Sequence, residues 1–168
     1  MKKILIAVVL FASTCMFVQA QDIKIGHIDS DAVMQEMPEY QTALKELEDF
    51  RTELVNTLEL MQVELNNKAE TYNKEYNNYT DVVRQVKEQE LNDANQRILE
   101  FQNQAQEQLQ TKQNELYQPL LTKYQAAVDA AANKNGFVYV IEASALRYIS
   151  PSKSTDIADL VKAELGIK

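Results

Sequence analysis

Residues 39–118 contain neither glycine nor proline, and they read EYQTALKELEDFRTELVNTLELMQVELNNKAETYNKEYNNYTDVVRQVKEQELNDANQRILEFQNQAQEQLQTKQNELYQ. The stretch is rich in Gln, Glu, Lys, Leu and Ala, which favour helix. Its apolar residues recur in steps of mostly three or four, which is typical of the narrow apolar stripe of a coiled-coil helix. The two series are Leu44, Leu47, Phe50, Leu54, Leu58, Met61 and Leu65, and Val83, Val86, Ala94, Ile98, Phe101, Ala105, Leu109 and Leu116. The sequence therefore predicts helix throughout these residues.

The predicted helix has one weak point, at residues 77–80, where two asparagines, a tyrosine and a threonine are adjacent. Asn78 or Thr80 can cap a new helix there. A division at this point leaves two arms of equal length, 39–76 and 81–118, as an antiparallel hairpin requires. A single rod would instead extend for about 120 Å, at a rise of about 1.5 Å per residue.

Short β-prone runs lie on both sides of the helical stretch. Residues 23–28 alternate around Gly26, which predicts a strand with a bulge or a close approach at the glycine. Residues 137–143 are typical of a buried strand, and residues 146–149 are a candidate third strand. Strands of this length are not stable alone. They are expected to share one sheet, and only a hairpin brings the first strand to the other two.

Turn and cap residues predict the remaining elements. Asp29 or Ser30 caps a short helix over residues 31–37, Pro38 begins the long helix, and Gly136 ends the last helical stretch of residues 119–135. Ser154 or Thr155 is expected to cap a final amphipathic helix. Pro119 predicts a kink, either as a fixed joint where the arm enters the body or as a hinge.

The predicted fold class is α+β, with a small β-sheet body and a long antiparallel α-helical coiled-coil hairpin. The body is discontinuous, over residues 21–38 and 119–168, and the arm covers residues 39–118 with its tip near residues 77–80. A body of this size is marginally stable by itself, so self-association through its sheet is expected. Its predicted buried apolar residues are Ile25, Ile28, Val138 and Val140.

Residues 1–20 have the pattern of a secretory signal peptide that is cleaved after Ala20. Lys2 and Lys3 precede an apolar run over residues 4–11, and small residues lie at the predicted cleavage site. The run is too short for a stable membrane span. A lipoprotein signal with Cys15 as the lipidated residue is the alternative, but the residues around Cys15 do not match that pattern well.

Charge and composition exclude several function classes. The chain has 17 basic and 25 acidic residues, and the net charge of −8 becomes −10 once Lys2 and Lys3 are removed, which argues against nucleic acid as a partner. One histidine and one cysteine cannot form a His/Cys metal cluster. Three glycines leave no Gly-rich phosphate loop. No cofactor or enzymatic activity is expected, and His27 is interpreted as a sheet residue.

The order of these parts resembles the Skp/OmpH family of periplasmic chaperones. The resemblance covers residues 22–168 and includes KIGHID at residues 24–29, MPEY at residues 37–40, FVYVIEA at residues 137–143 and DIAD at residues 156–159. It implies a homotrimer in which three helical tentacles enclose a cavity for unfolded outer-membrane proteins. It also implies ATP-independent holdase activity in the periplasm. A structural or adaptor coiled coil of the cell envelope is the alternative function.

The hairpin carries the candidate client-binding residues, which are Leu58, Met61, Leu65, Tyr72, Tyr76 and Tyr79. Aromatic residues at helical spacing near a hairpin end also suit simple packing, so both roles stay open for the tyrosines. Familiar members of the family have basic tentacles. Residues 41–125 here have nine basic and fifteen acidic residues, a net charge of −6. Capture of acidic clients by charge is therefore not expected from this sequence.

Overall fold

The computed structural model describes residues 23–167. The strands are β1 (Ile25–Ile28), β2 (Tyr139–Glu142) and β3 (Ser154–Asp156), and the helices are α1 (Ser30–Gln35), α2 (Pro38–Glu75), α3 (Asp81–Asn135) and α4 (Ala158–Leu165). Short 3₁₀ turns cover Tyr76–Asn78 and Ala143–Ala145. The predicted α+β class with a helical hairpin is confirmed. The predicted signal peptide and the lipidation alternative at Cys15 lie outside the described residues.

The hairpin consists of α2 and the first part of α3. Pro38 lies in the first turn of α2, as predicted. The Thr80 hydroxyl caps α3 by accepting a hydrogen bond from the Val83 N–H at 3.4 Å. The 38 residues of α2 span roughly 57 Å at about 1.5 Å per residue. The predicted last helical stretch of residues 119–135 is the end of α3, which continues through Pro119 to its cap at Gly136 (φ 70°).

All three strands of the sheet are parallel, in the order β2-β1-β3. Gly26 lies opposite Val140 on one side and Thr155 on the other, in continuous register. A Cβ at Gly26 would lie 3.0 Å from Ile157 Cγ2 and 3.3 Å from Phe137 Cδ1. The glycine therefore permits a close approach of packed side chains and is not a bulge.

The prediction of a strand at residues 146–149 is wrong, because the third strand is β3. Parallel strands cannot be joined by a tight turn, since the chain must return to the same end of the sheet. Residues 143–153 make that return, and Tyr148 is exposed along it. Ser154 and Thr155 belong to β3 and do not cap the last helix.

Carboxylates at the ends of strands start the two short helices. Asp29 Oδ1 accepts a hydrogen bond from the Ala32 N–H at 3.0 Å, so α1 begins at Ser30, one residue earlier than predicted. Asp156 Oδ1 accepts one from the Ala158 N–H at 2.9 Å, at the start of α4. Both bonds satisfy backbone donors that a helix N-terminus leaves without an intrahelical partner.

The core lies between the sheet, α1, α4 and the C-terminal part of α3. Its most buried side chains are Val33, Met37, Ala131, Ile157 and Val161. Leu120 is already part of this core, so Pro119 lies where α3 enters the body. Polar contacts also join α3 to the body. The buried Tyr124 hydroxyl donates to Ser30 Oγ at 2.7 Å, and the Ser30 N–H and hydroxyl donate to the Glu142 carboxylate.

The other face of the sheet has no helix packed on it within the described residues. Ile28 is buried against the core and Val140 is half-buried on that side, whereas Ile25 is half-buried and alternates to the opposite face. His27 lies on that opposite face, where its Nδ1 is 2.8 Å from Ser154 Oγ. Val138, one residue before β2, is 58% exposed. The four residues predicted to be buried in the body thus have three different environments in the single chain.

Candidate functional site: the hairpin arm and its tip

The interface between α2 and α3, here called the seam, is stabilised at the base of the arm by aromatic and charged contacts. The rings of Tyr40 and Tyr117 make an edge-to-face contact at 5.5 Å. Lys112 Nζ bonds Glu46 Oε1 at 2.5 Å, and Lys123 pairs with Glu39. Further along the arm, Ala94 and Ile98 of α3 are buried. These contacts hold the helices side by side from the body outward.

Leu58, Met61 and Leu65 are half-buried along this seam. Leu58 lines a small cleft together with Phe101 and Leu109 of α3, and the spacing of three and four places Met61 and Leu65 on the same face of α2. Packing between the helices therefore uses much of their surface. The client-binding role of these three residues stays a prediction.

The three predicted tyrosines meet at the end of the arm and form, with Arg84 and Glu88, the tip cluster. Tyr72 packs edge-to-face on Tyr76 at 5.6 Å and is stacked on Tyr79 at 6.2 Å. The Tyr72 hydroxyl donates to Glu88 Oε1 at 2.5 Å. The Arg84 guanidinium lies 4.8 Å above the Tyr76 ring and donates to the Tyr79 carbonyl at 3.1 Å. The cluster closes the hairpin and packs the tyrosines together, but Tyr76 is still 43% exposed. The client-binding role of the three tyrosines stays a prediction.

The hydrogen bond to Glu88, together with burial, raises the pKa of Tyr72 to about 12 from 10.0. Because the protonated phenol makes this bond, the contact is complete below about pH 10 and is lost as the pH rises towards 12. The difference in tyrosinate absorbance between wild type and Tyr72→Phe reports the titration of Tyr72 alone. We expect its midpoint at a pH about two units above that of free tyrosine. Glu88→Gln is the control and should return that midpoint towards 10. A midpoint near 10 in the wild type would contradict the contact.

Exposed aliphatic side chains on both helices are the feature that the sequence reasoning missed. They are Val55, Leu60 and Val63 on α2, and Val82, Val83, Val86 and Leu99 on α3. Leu60 is 70% exposed and Val82 is 72% exposed. Most of them fall outside the apolar series that predicted the seam. Their position away from the apolar stripe was the sequence signal that could have indicated their exposure. Together they give the arm an apolar surface that its own packing does not use.

The basic side chains near the tip are neutralised by acidic ones. Lys68 pairs with Glu64 at 2.5 Å, Lys74 with Glu70 at 2.6 Å, Arg84 with Asp81 at 3.2 Å and Lys87 with Glu90 at 2.8 Å. Hydrogen bonding to Lys68 lowers the pKa of Glu64, and the bond to Glu90 raises the pKa of Lys87. Exposed pairs of this kind add little stability, but they leave no basic patch at this end of the described arm.

A groove of about 490 Å³ lies between the helices next to the tip cluster. This arm groove is lined by Leu60, Val63, Lys68, Tyr72, Lys87 and Leu91, with Glu64 and Glu90 beside the two lysines.

Within residues 23–167 no three His, Cys, Asp or Glu side chains are grouped so as to hold a metal ion. No helix of that part of the chain has the length and apolar character needed to cross a membrane.

The fold and the arm define a class of protein in which a small α+β body carries one long helical hairpin. The family model described as "Outer membrane protein (OmpH-like)" matches residues 24–165, and the chain therefore belongs to the OmpH-like family. The predicted family resemblance is confirmed.

The same fold is found among solved structures, and one example shows how far the likeness extends. It is the structure of an OmpH-like outer membrane chaperone candidate from Caulobacter crescentus CB15, and the TM-score is 0.75. The match covers 85% of this chain and 83% of that one. The two sequences are 10% identical, so the likeness concerns the fold alone. A search of curated proteins gave no match.

Proposed function

We propose that this protein is an ATP-independent holdase chaperone of the periplasm, which binds unfolded outer-membrane proteins and prevents their aggregation. Membership of the OmpH-like family supports this function, and the C. crescentus protein of the same fold is described as a chaperone candidate. The observation that carries the proposal is the set of exposed aliphatic side chains on both helices of the arm. An arm that served only to space two partners would have no need of them.

Unfolded outer-membrane barrels present apolar strand faces and unpaired strand edges, which makes them prone to aggregate in water. Many weak apolar contacts spread along an arm of roughly 57 Å can cover such a chain without selecting one sequence. No chemical step is needed, since covering the apolar surface is enough. The arm supplies these contacts at Val55, Leu60, Val82, Val86 and Leu99.

Self-association through the body is the second part of the proposal, with three chains forming a cavity between their arms. The open face of the sheet supports it, because Tyr139 alternates with the core-side Val140 and is 60% exposed. Among residues 23–167, the outer edges of β2 and β3 have no strand partner, which supports it as well, since proteins seldom leave a strand edge and a neighbouring apolar surface uncovered.

Two measurements test the function. Light scattering after dilution of a urea-unfolded outer-membrane barrel should be suppressed by the protein at one assembly per client. Sedimentation equilibrium of the purified protein should give the mass of three chains. Full scattering in the presence of excess protein would contradict the holdase function and favour the adaptor alternative, and a monomer mass would contradict the cavity.

Salt provides a further prediction, because the arm is acidic and its basic residues near the tip are paired. The screening length falls from roughly 8 Å at about 0.15 M to roughly 3 Å at about 1 M. Repulsion of an acidic client is therefore weakened by salt, whereas apolar association is not. We expect the affinity for a net-acidic unfolded barrel to hold steady or rise between about 0.05 and 0.5 M NaCl.

A fluorescence titration of labelled client across that range makes the measurement, with self-association of the client followed separately. A loss of about tenfold or more would show that basic groups dominate capture. Lys68, Lys74, Arg84 and Lys87 would then have to exchange their intrahelical partners for the client.

A further inference from the structure

The seam of the arm loses its large apolar side chains just before the tip cluster. After Leu65, the half-buried positions of α2 are Lys68, Ala69 and Tyr72, so the apolar stripe continues through the small side chain of Ala69, with a lysine beside it. On α3, Lys87 occupies a half-buried position one turn from Leu91. Lysine stems lie along apolar surface while their charged ends turn to water. The space between the helices therefore stays open here, and the arm groove occupies it.

The charges around the arm groove cancel on each wall. Lys68 pairs with Glu64 on the α2 wall, and Lys87 pairs with Glu90 on the α3 wall. Each wall thus offers ammonium donors and carboxylate acceptors but no net charge. This combination matches the C=O and N–H groups of a peptide backbone. A positively charged ligand would be repelled by the lysines and a negatively charged ligand by the glutamates of the same ion pairs.

The rest of the lining is apolar, with Leu60, Val63 and Leu91 beside the ring of Tyr72. Leu60 and Val63 are both exposed, so no side chain of this arm fills the space over them. The volume of about 490 Å³ falls within the range of roughly 300–1,000 Å³ that is usual for ligand clefts. The groove has room for a large side chain and the backbone next to it.

We propose that the arm groove binds an extended, uncharged peptide segment and seats one aromatic or large aliphatic side chain against Leu60, Val63 and Leu91. This inference rests on the proposed function, because strands of an unfolded outer-membrane barrel alternate apolar and polar residues in this way. The other exposed aliphatic side chains of the arm make contacts without a preferred ligand. The arm groove, by contrast, is a site with a preferred ligand.

A peptide titration tests the site directly. The probe is a capped seven-residue peptide with one central tryptophan between serine and threonine residues. The protein contains no tryptophan, so the emission comes from the peptide alone. We expect a saturable blue shift with the intact protein. The affinity should change by less than about twofold between roughly 0.05 and 0.5 M NaCl, and aspartate or lysine beside the tryptophan should weaken binding about fivefold or more.

Asn67→Phe fills the groove, because Asn67 is part of its lining. We expect this variant to weaken peptide binding by about tenfold or more. Asn66→Phe is the matched control, since it makes the same change at the next residue, which does not line the groove, and it should bind within about twofold of wild type. Thr71→Phe fills the groove from the next turn and provides an independent second variant. Circular dichroism melts show whether each variant keeps the fold.

Equal peptide affinities for Asn66→Phe and the two filled variants would overturn the proposal, as would the absence of a saturable shift with wild type. If the added phenylalanine changed peptide affinity only through its apolar surface, the substitutions at Asn66 and Asn67 would have the same effect. The aggregation assay on the same proteins separates the two inferences. Equal protection by wild type and all variants would assign the holdase function to the exposed aliphatic side chains of the arm, and the peptide titration would decide the groove. If wild type gave no protection, the function would fail, and the peptide titration would still decide the groove.

Discussion

Removal of the outer arm is expected to abolish protection of an unfolded outer-membrane barrel while the body stays folded. In this variant a short glycine–serine turn replaces residues 48–110. The Lys112–Glu46 ion pair and the Tyr40–Tyr117 contact remain at the base. The variant loses the exposed aliphatic side chains from Val55 to Leu99 together with the arm groove. It keeps the residues of the core, which extends along α3 only from Leu116 onward.

Light scattering of the diluted barrel measures the loss, and sedimentation shows whether the shortened protein keeps the assembly state of the wild type. The control carries the same glycine–serine segment between Asn77 and Asn78, at the tip of the intact arm. That control should still protect the client. A shortened protein that protects as well as wild type at equal stoichiometry would place client binding on the body and favour an adaptor role for the arm.

Val161→Asp is expected to unfold the body. Val161 lies in α4 and is 0% exposed, within the core formed with Val33 and Ile157. A carboxylate there has no basic partner in the core and costs several kcal/mol to bury. That cost is comparable with the whole stability of a small domain. The cooperative thermal transition of the body should disappear, and the chain should no longer sediment as the wild-type assembly.

Val82→Asp makes the same chemical change on the arm, where the side chain is 72% exposed. Exposed substitutions usually alter stability by less than about 0.5 kcal/mol, so its melting midpoint should stay close to that of wild type. If Val161→Asp melted at the wild-type midpoint, the packing of α4 against the sheet would be wrong.

The helices were predictable because their signals are local. A long run without glycine or proline, a stripe at steps of three and four, and cap residues such as Thr80 and Gly136 all act within a few residues of chain. The third strand was not predictable in the same way. Ser154, Thr155 and Asp156 carry no apolar alternation, and they form a strand because β1 pairs with them.

In the candidate site, too, the local features were predictable from the sequence and the contacts between the two helices were not. The spacing indicated that Tyr72, Tyr76 and Tyr79 lie together. Only the structure shows that Glu88 and Arg84, on the opposite helix, contact them. The exposed aliphatic side chains escaped prediction because exposure depends on where the partner helix lies. Val82 lies off the apolar stripe of α3, which indicates a position away from the other helix, but the sequence does not show whether any other surface covers it.

The central position of β1 has a consequence for how the chain folds. Both neighbours of β1 come from the far end of the sequence, since Ile25 pairs with Tyr139 and with Ser154. The sheet cannot begin until almost the whole polypeptide is present, and closing so long a loop is entropically slow. Antiparallel zipping of α2 and α3 shortens that loop, because it carries the two ends of the hairpin to the same place. Pairing of the two hairpin helices would bring β1 close to β2 and β3, and a nascent chain lacking residues after 138 would have no partner strand for β1.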